Sequence, residues 1–159
     1  MKIVHSIQDF KTSKPTVVTI GTYDGVHLGH QKIIQQITHC AENLQAESLV
    51  LTFFPHPRTI LQEGTVMKQL NTIEEKIELL AQQGIDHLVI HPFDKEFSRL
   101  TAEEFVKEIL VDTFHVKKII IGYDHRFGRN RTANIDDLIA FGNTYGFEVE
   151  QISVEEINE

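Results

Sequence analysis

The sequence holds one cysteine, Cys40, which excludes an internal disulfide and fits a reducing compartment, so a cytoplasmic location is expected. Its wholly apolar stretches are only a few residues long, far below the ~20 of a membrane-spanning helix, and no membrane association is expected. Met1 to Phe10 lacks a basic start followed by an apolar core, so no secretory signal is read there. Positive charge is scarce as well. Fifteen Lys and Arg stand against 23 Asp and Glu, a formal −8. Nucleic-acid backbones are held by counterion release against an excess of Lys and Arg, so a general nucleic-acid binder is not expected. A small phosphorylated ligand needs only a local cluster, and Arg126, Arg129 and Arg131 supply one. There is no repeat, no low-complexity tract and no Pro/Gly/Ser-rich linker, so residues 1–159 read as one domain.

What is present is alternation. Thr16–Ile20, Ser48–Phe53, His87–Ile90, Lys117–Ile121 and Phe147–Ile152 are short β-branched or apolar runs that predict strands. Between them, Lys32–Leu44, Thr72–Gln82, Thr101–Phe114 and Ile135–Tyr145 carry apolar residues at helical spacing. Thr72 with Glu75 and Thr101 with Glu104 have capping-box spacing, and Gly84 marks a helix stop. Five strands separated by four helices predict a Rossmann-like, doubly wound α/β fold, with about five parallel strands and helices on both faces. Ligands in such folds bind beyond the carboxyl ends of the strands.

The residues that follow those strands are unusual. Gly21 to His30 (GTYDGVHLGH) holds three of the nine glycines and opens into a helix, whose unpaired first N–H groups attract anions. His27 and His30 are three apart, on one side of a helical turn. Two readings fit them: paired donors to a phosphoryl group, or one capping and one solvated histidine. Phe54-Pro55-His56-Pro57 is a stiff aromatic-to-polar loop, either a pocket wall for a flat ring or a rigid connector. Gly122 to Asn134 carries the arginine cluster with Asp124, either phosphate-binding or solvated. Phe93 and Phe97 are expected to pack under the following helix, and His39, His87, His91 and His115 to be structural or superficial. A zinc hydrolase is a further alternative; it lacks an H-E-x-x-H motif, a cysteine pair and a third ligand.

GTYDGVHLGH at Gly21–His30 resembles the phosphate-binding signature of the HxGH nucleotidyltransferases. TFFPHP at Thr52–Pro57, LNTIEEKIELL at Leu70–Leu80, HPFDKEFSRLTAEEFV at His91–Val106 and GYDHRFG at Gly122–Gly128 narrow the resemblance. Together they are similar to the FMN adenylyltransferase module of prokaryotic bifunctional riboflavin kinase/FAD synthetases, over about Pro15 to Ile152. The resemblance implies transfer of AMP from ATP to the phosphate of FMN, giving FAD and pyrophosphate. It implies catalytic roles for His27 and His30 at the ATP phosphates, with Gly21, Tyr23, Asp24 and Gly29 forming the ATP-binding loop. Phe54, Pro55, His56, Pro57, Asp124, Arg131 and Asn134 fall on its flavin side. Mg²⁺ is expected to come with ATP, held by nucleotide oxygens and water, with no metal-ligating side chains assigned. Two positions depart from the pattern: His125 stands where the family usually has Phe, and Ala133 where it usually has Gly. The family's domain continues into a Ser-Ser-Thr-x-Ile-Arg segment and a riboflavin kinase domain, both absent from residues 1–159. A domain truncated at its C-terminus is therefore expected, and a flavin- or nucleotide-binding fragment without turnover is an alternative function. Another HxGH transferase, with a different phosphorylated acceptor, is a second.

Overall fold

A computed structural model of the chain describes residues 1–21, 28–53, 73–122 and 133–152. The strands are β1 (Lys2–Val4), β2 (Thr16–Ile20), β3 (Glu47–Phe53), β4 (His87–His91), β5 (Val116–Gly122) and β6 (Glu148–Ile152). The helices are α1 (Leu28–Leu44), α2 (Ile73–Gln82), α3 (Lys95–Ser98), α4 (Ala102–Glu104) and α5 (Ile135–Tyr145). A 3-10 turn covers Ile7–Asp9, and α4 runs straight into a π-helical segment, Phe105–Val111.

All six strands pair in parallel, in the order β1-β4-β3-β2-β5-β6. The chain moves outward from β2 through β3 to β4, then returns past β2 to β5. The switch in winding direction therefore lies between β2 and β5, as the doubly wound reading requires.

The sheet exists because its strands are apolar on both faces. Val17, Val50, Leu88, Ile90 and Ile120 point into one core with Ile33, Ile34 and Ile37 of α1 and Leu80 of α2. Their neighbours Val18, Leu49, Leu51, Val89, Ile119 and Ile121 point into the other, with Phe105, Leu110, Phe114 and Leu138. Each such side chain contributes about 1.5–3 kcal/mol by leaving water. Polar ties fix the ends. Asp86 Oδ2 accepts from Ser48 N–H at 2.9 Å and from its hydroxyl at 3.1 Å, while Asp86 N–H donates to Ser48 Oγ at 2.9 Å. Glu150 accepts from Gln36 of α1 at 2.9 Å and from Lys118 of β5 at 3.1 Å.

Three features differ from the sequence reading. β1 is a sixth strand, paired with β4 through Lys2↔His87 and Val4↔Val89. At three residues, with Lys2 and Ile3 exposed, it is too short and too open to show a period. Helix α1 begins a turn before Lys32, because Leu28, Gly29 and His30 already turn helically. The helix expected over Thr101–Phe114 is interrupted: after the Thr101–Glu104 capping box its ladder widens to five-residue spacing, as in Asp112 N–H to the Lys107 carbonyl at 3.0 Å. Gly84 is left-handed at φ 83°, as a helix stop requires. Phe93 and Phe97 pack against the core, meeting Phe53 at centroid distances of 5.6 and 5.0 Å, and Phe97 meets Phe105 of the following helix edge-on at 6.0 Å.

Candidate active site

The strands that precede the segments singled out in the sequence end at the same edge of the sheet. Ile20 pairs with Leu51, Phe53 with His91, and Gly122 with Ile152, so β2, β3, β4 and β5 share one rim at their carboxyl ends. Gly21 N–H is anchored by the Leu51 carbonyl at 3.0 Å, which fixes where the chain departs β2. Helix α1, formed over 17 residues, then starts at Leu28 and runs back down over β2, β3 and β5. Its N-terminus thus faces the rim beside the switch point.

That N-terminus has a particular electrostatic character. No acidic residue lies in its first turn. Glu74 and Glu75 occupy the first turn of α2, Glu96 of α3, Glu103 and Glu104 of α4, and Asp136 and Asp137 of α5. In those helices a carboxylate complements the positive end of the dipole. At α1 no first-turn carboxylate complements the dipole, whose positive end suits an anion from elsewhere. Gly29 and His30 are both in this turn.

Across the switch point, Asn134 is the N-cap of α5. Its Oδ1 accepts from Asp136 N–H at 3.0 Å and Asp137 N–H at 3.2 Å, and Asp137 Oδ2 accepts in return from Asn134 N–H at 3.0 Å. The side-chain oxygen is therefore engaged in holding the helix end, and Nδ2 is the part of the amide with no partner among the described residues. The Asn-x-x-Asp spacing is the sequence signal for this cap, passed over in the reading above. Ala133, the second departure from the family pattern, is 4% exposed and packs into the core without a positive φ, so no glycine is required of its backbone. At Gly122 a Cβ would meet nothing within 4 Å among the described residues.

Gly21, Gly29, His30 and Asn134 are thus brought to one rim, with only the backbone of Gly29 and His30 described. Tyr23, Asp24, His27, Phe54, Pro55, His56, Pro57, Asp124, His125 and Arg131 lie outside the described residues, as does Thr72 of the first capping box. Among the described residues no group of three or more His, Cys, Asp or Glu could hold a metal ion. No helix among them is long and apolar enough to cross a membrane.

The sequence profile of FAD synthetase matches residues 9–159. The bifunctional riboflavin kinase/FMN adenylyltransferase of Buchnera aphidicola subsp. Schizaphis graminum is 37% identical over 154 residues, 96% of this chain and 49% of that protein. The protein of the same name from Escherichia coli K12 is 31% identical over 151 residues, 94% of this chain and 48% of that one. The chain thus spans about half the length of these curated relatives. Among solved structures, a Streptococcus pneumoniae protein described as a macrolide-efflux protein superposes with a TM-score of 0.81 at 26% identity, covering 95% of this chain and 49% of that one. A universal stress protein from Archaeoglobus fulgidus shares the fold at a TM-score of 0.50 and 13% identity, over 87% of this chain and 93% of that one.

Proposed function

The chain belongs to the FAD synthetase family, and from that membership we propose that it is an FMN adenylyltransferase. A phosphate oxygen of FMN attacks the α-phosphorus of ATP, the bond to the β,γ-diphosphate breaks in line, and the products are FAD and pyrophosphate. The observation that carries the reading is the acid-free first turn of α1, a helix packed over β2, β3 and β5 at the switch point of the sheet. It is the place where this fold can receive a triphosphate.

The work required of the protein is positioning. The FMN phosphate is already an anion, so no general base is needed. Two anions must be brought together against their repulsion, and charge spreading over the equatorial oxygens must be met by donors. The first-turn N–H groups of α1 and the imidazoles of His27 and His30 are those donors on the ATP side, with Gly21, Tyr23, Asp24 and Gly29 shaping the loop. Phe54, Pro55, His56 and Pro57 wall the isoalloxazine ring, while Asp124, Arg131 and the Asn134 Nδ2 hold the flavin side. Mg²⁺ accompanies the nucleotide and neutralises part of its charge. We place the reaction in the cytoplasm.

The relatives identified by sequence carry the adenylyltransferase name, and the proposal follows them. Incubation of the chain with ATP, Mg²⁺ and FMN tests it. Equal amounts of FAD and pyrophosphate are expected on chromatography. FMN binding without pyrophosphate release would replace turnover by simple binding, and consumption of ATP with another phosphorylated acceptor but not with FMN would replace the substrate.

A further inference from the structure

Four aromatic rings surround Phe97 beside the rim. Its centroid lies 5.0 Å from Phe53, 5.2 Å from His91, 5.7 Å from Phe93 and 6.0 Å from Phe105. Two of these neighbours form a pair, because Phe53 and His91 are register partners at the last rung of the β3–β4 ladder. Phe97 therefore packs on both strands at once, at the point where they end. None of the four meetings is a parallel stack: the interplanar angles run from 53° to 89°. Tilted and edge-on contacts of this kind depend on the ring quadrupole, so they fix ring orientation as well as distance.

The backbone under the ring is held too. Asp94 caps the short helix α3: its Oδ1 accepts from Phe97 N–H at 2.8 Å and its carbonyl from Ser98 N–H at 3.0 Å. The Phe97 carbonyl in turn accepts from Leu100 N–H at 3.2 Å. Phe53 and Phe105 belong to the buried core, whereas Phe93 and Phe97 are only partly buried at its border. An aliphatic side chain could cover Phe105 from that border. It could not reproduce the ring contacts that orient Phe53 and His91.

We propose that Phe97 is a positioning residue for the flavin substrate: it clamps the final β3–β4 pair and so sets where the chain leaves β3. The inference rests on the reading above, in which Phe54, Pro55, His56 and Pro57, next in sequence after Phe53, wall the flavin. The ATP side was assigned to the segment that follows β2, and none of the five rings belongs to β2 or α1. Slackening the clamp should therefore be felt by FMN and not by ATP. A shift of about 1 Å caused from outside the reacting centre can cost up to about 10²-fold.

Steady-state kinetics of FAD formation by the whole chain test this. Phe97→Leu is expected to raise KM for FMN about tenfold while KM for ATP stays within about twofold. Phe114→Leu is the structural control: Phe114 belongs to the same core but precedes β5, at the opposite end of the sheet. It should lower Tm and leave the ratio of the two KM values unchanged. If Phe97→Leu unfolds, Phe97→Met, a longer and more adaptable side chain, is measured in its place. An unchanged KM for FMN in a folded Phe97 variant, equal rises in both KM values, or the same split in Phe114→Leu would each overturn the positioning role alone. A parent chain that forms no FAD would overturn the reading on which it rests, and this role with it.

Discussion

His27 and His30 enter the proposed reaction as hydrogen-bond donors, not as bases, and their loss should be felt in the transition state. Removal of one such donor generally costs about 10²–10³ in turnover, so His27→Ala and His30→Ala are each expected to lower kcat by that factor in the FAD-forming assay. Near-normal kcat in both would remove the imidazoles from the mechanism. His91 tests a different property. Burial holds its imidazole below the ordinary value of 6.5, outweighing Asp94 and Glu96. On acidification the unfolded chain therefore takes up its proton first. The contribution of His91 to stability is full above about pH 6.5 and declines as pH falls from there towards the lower folded value. Protonation at Nδ1 also abolishes acceptance from Ile7 N–H. Urea unfolding at about pH 8 and about pH 5.5 should show a larger loss for the parent than for His91→Phe, with equal losses contradicting the account. At this scale the identity of the residues was legible in the sequence but their partners were not: nothing in the neighbourhood of His91 names Ile7, 84 residues away.

Among the elements, α1 and α5 differ in how their amino ends are satisfied. Asn134, Asp136 and Asp137 complete α5 from within. The start of α1 has no such carboxylate. Gln31→Glu would supply one, with opposite effects on stability and function. Complementing the dipole should leave the helix as stable as before or stabilise it by about 0.3–1 kcal/mol. The same charge should repel the triphosphate and raise KM for ATP several-fold. A lower Tm with unchanged KM would show that the end is not an anion site. The carboxyl end of α5 is set by a close approach. A Cβ on Gly142 would lie 2.6 Å from the Phe147 carbonyl oxygen, a backbone atom that cannot step aside. Gly142→Ala is expected to destabilise by about 1–3 kcal/mol as an overpacking change, measurable as a lower urea midpoint at unchanged slope. An unchanged midpoint would mean that α5 can slide on β6. Helix α5 was legible from period alone, while the π-helical segment was not, since its apolar residues Phe105, Val106, Ile109 and Leu110 also suit an ordinary α-helix.

For the molecule as a whole, both cores depend on side chains that link distant segments. Phe114 is fully buried and meets Phe10 edge-on at 5.3 Å, and Phe10 meets His87 edge-on at 5.1 Å. This stack pins the N-terminal segment to the β4 and β5 halves of the sheet. Phe114→Ala is expected to cost about 3–5 kcal/mol, a large part of the 5–15 kcal/mol typical of a domain. Thermal unfolding checks it; a loss below about 1 kcal/mol would show that the cavity collapses freely. The sequence by itself determined the fold class and the order of elements. Alternating apolar runs and helical stripes are local patterns, and a parallel doubly wound sheet is the arrangement that covers strands apolar on both sides. It also placed the unusual residues at strand ends. The tertiary structure decided what no local pattern encodes: that β1 pads the β4 edge, that β2 and β5 are neighbours, and that the His91 ring accepts from Ile7 N–H. These depend on contacts between residues far apart in the chain, which the spacing of neighbours along it does not specify.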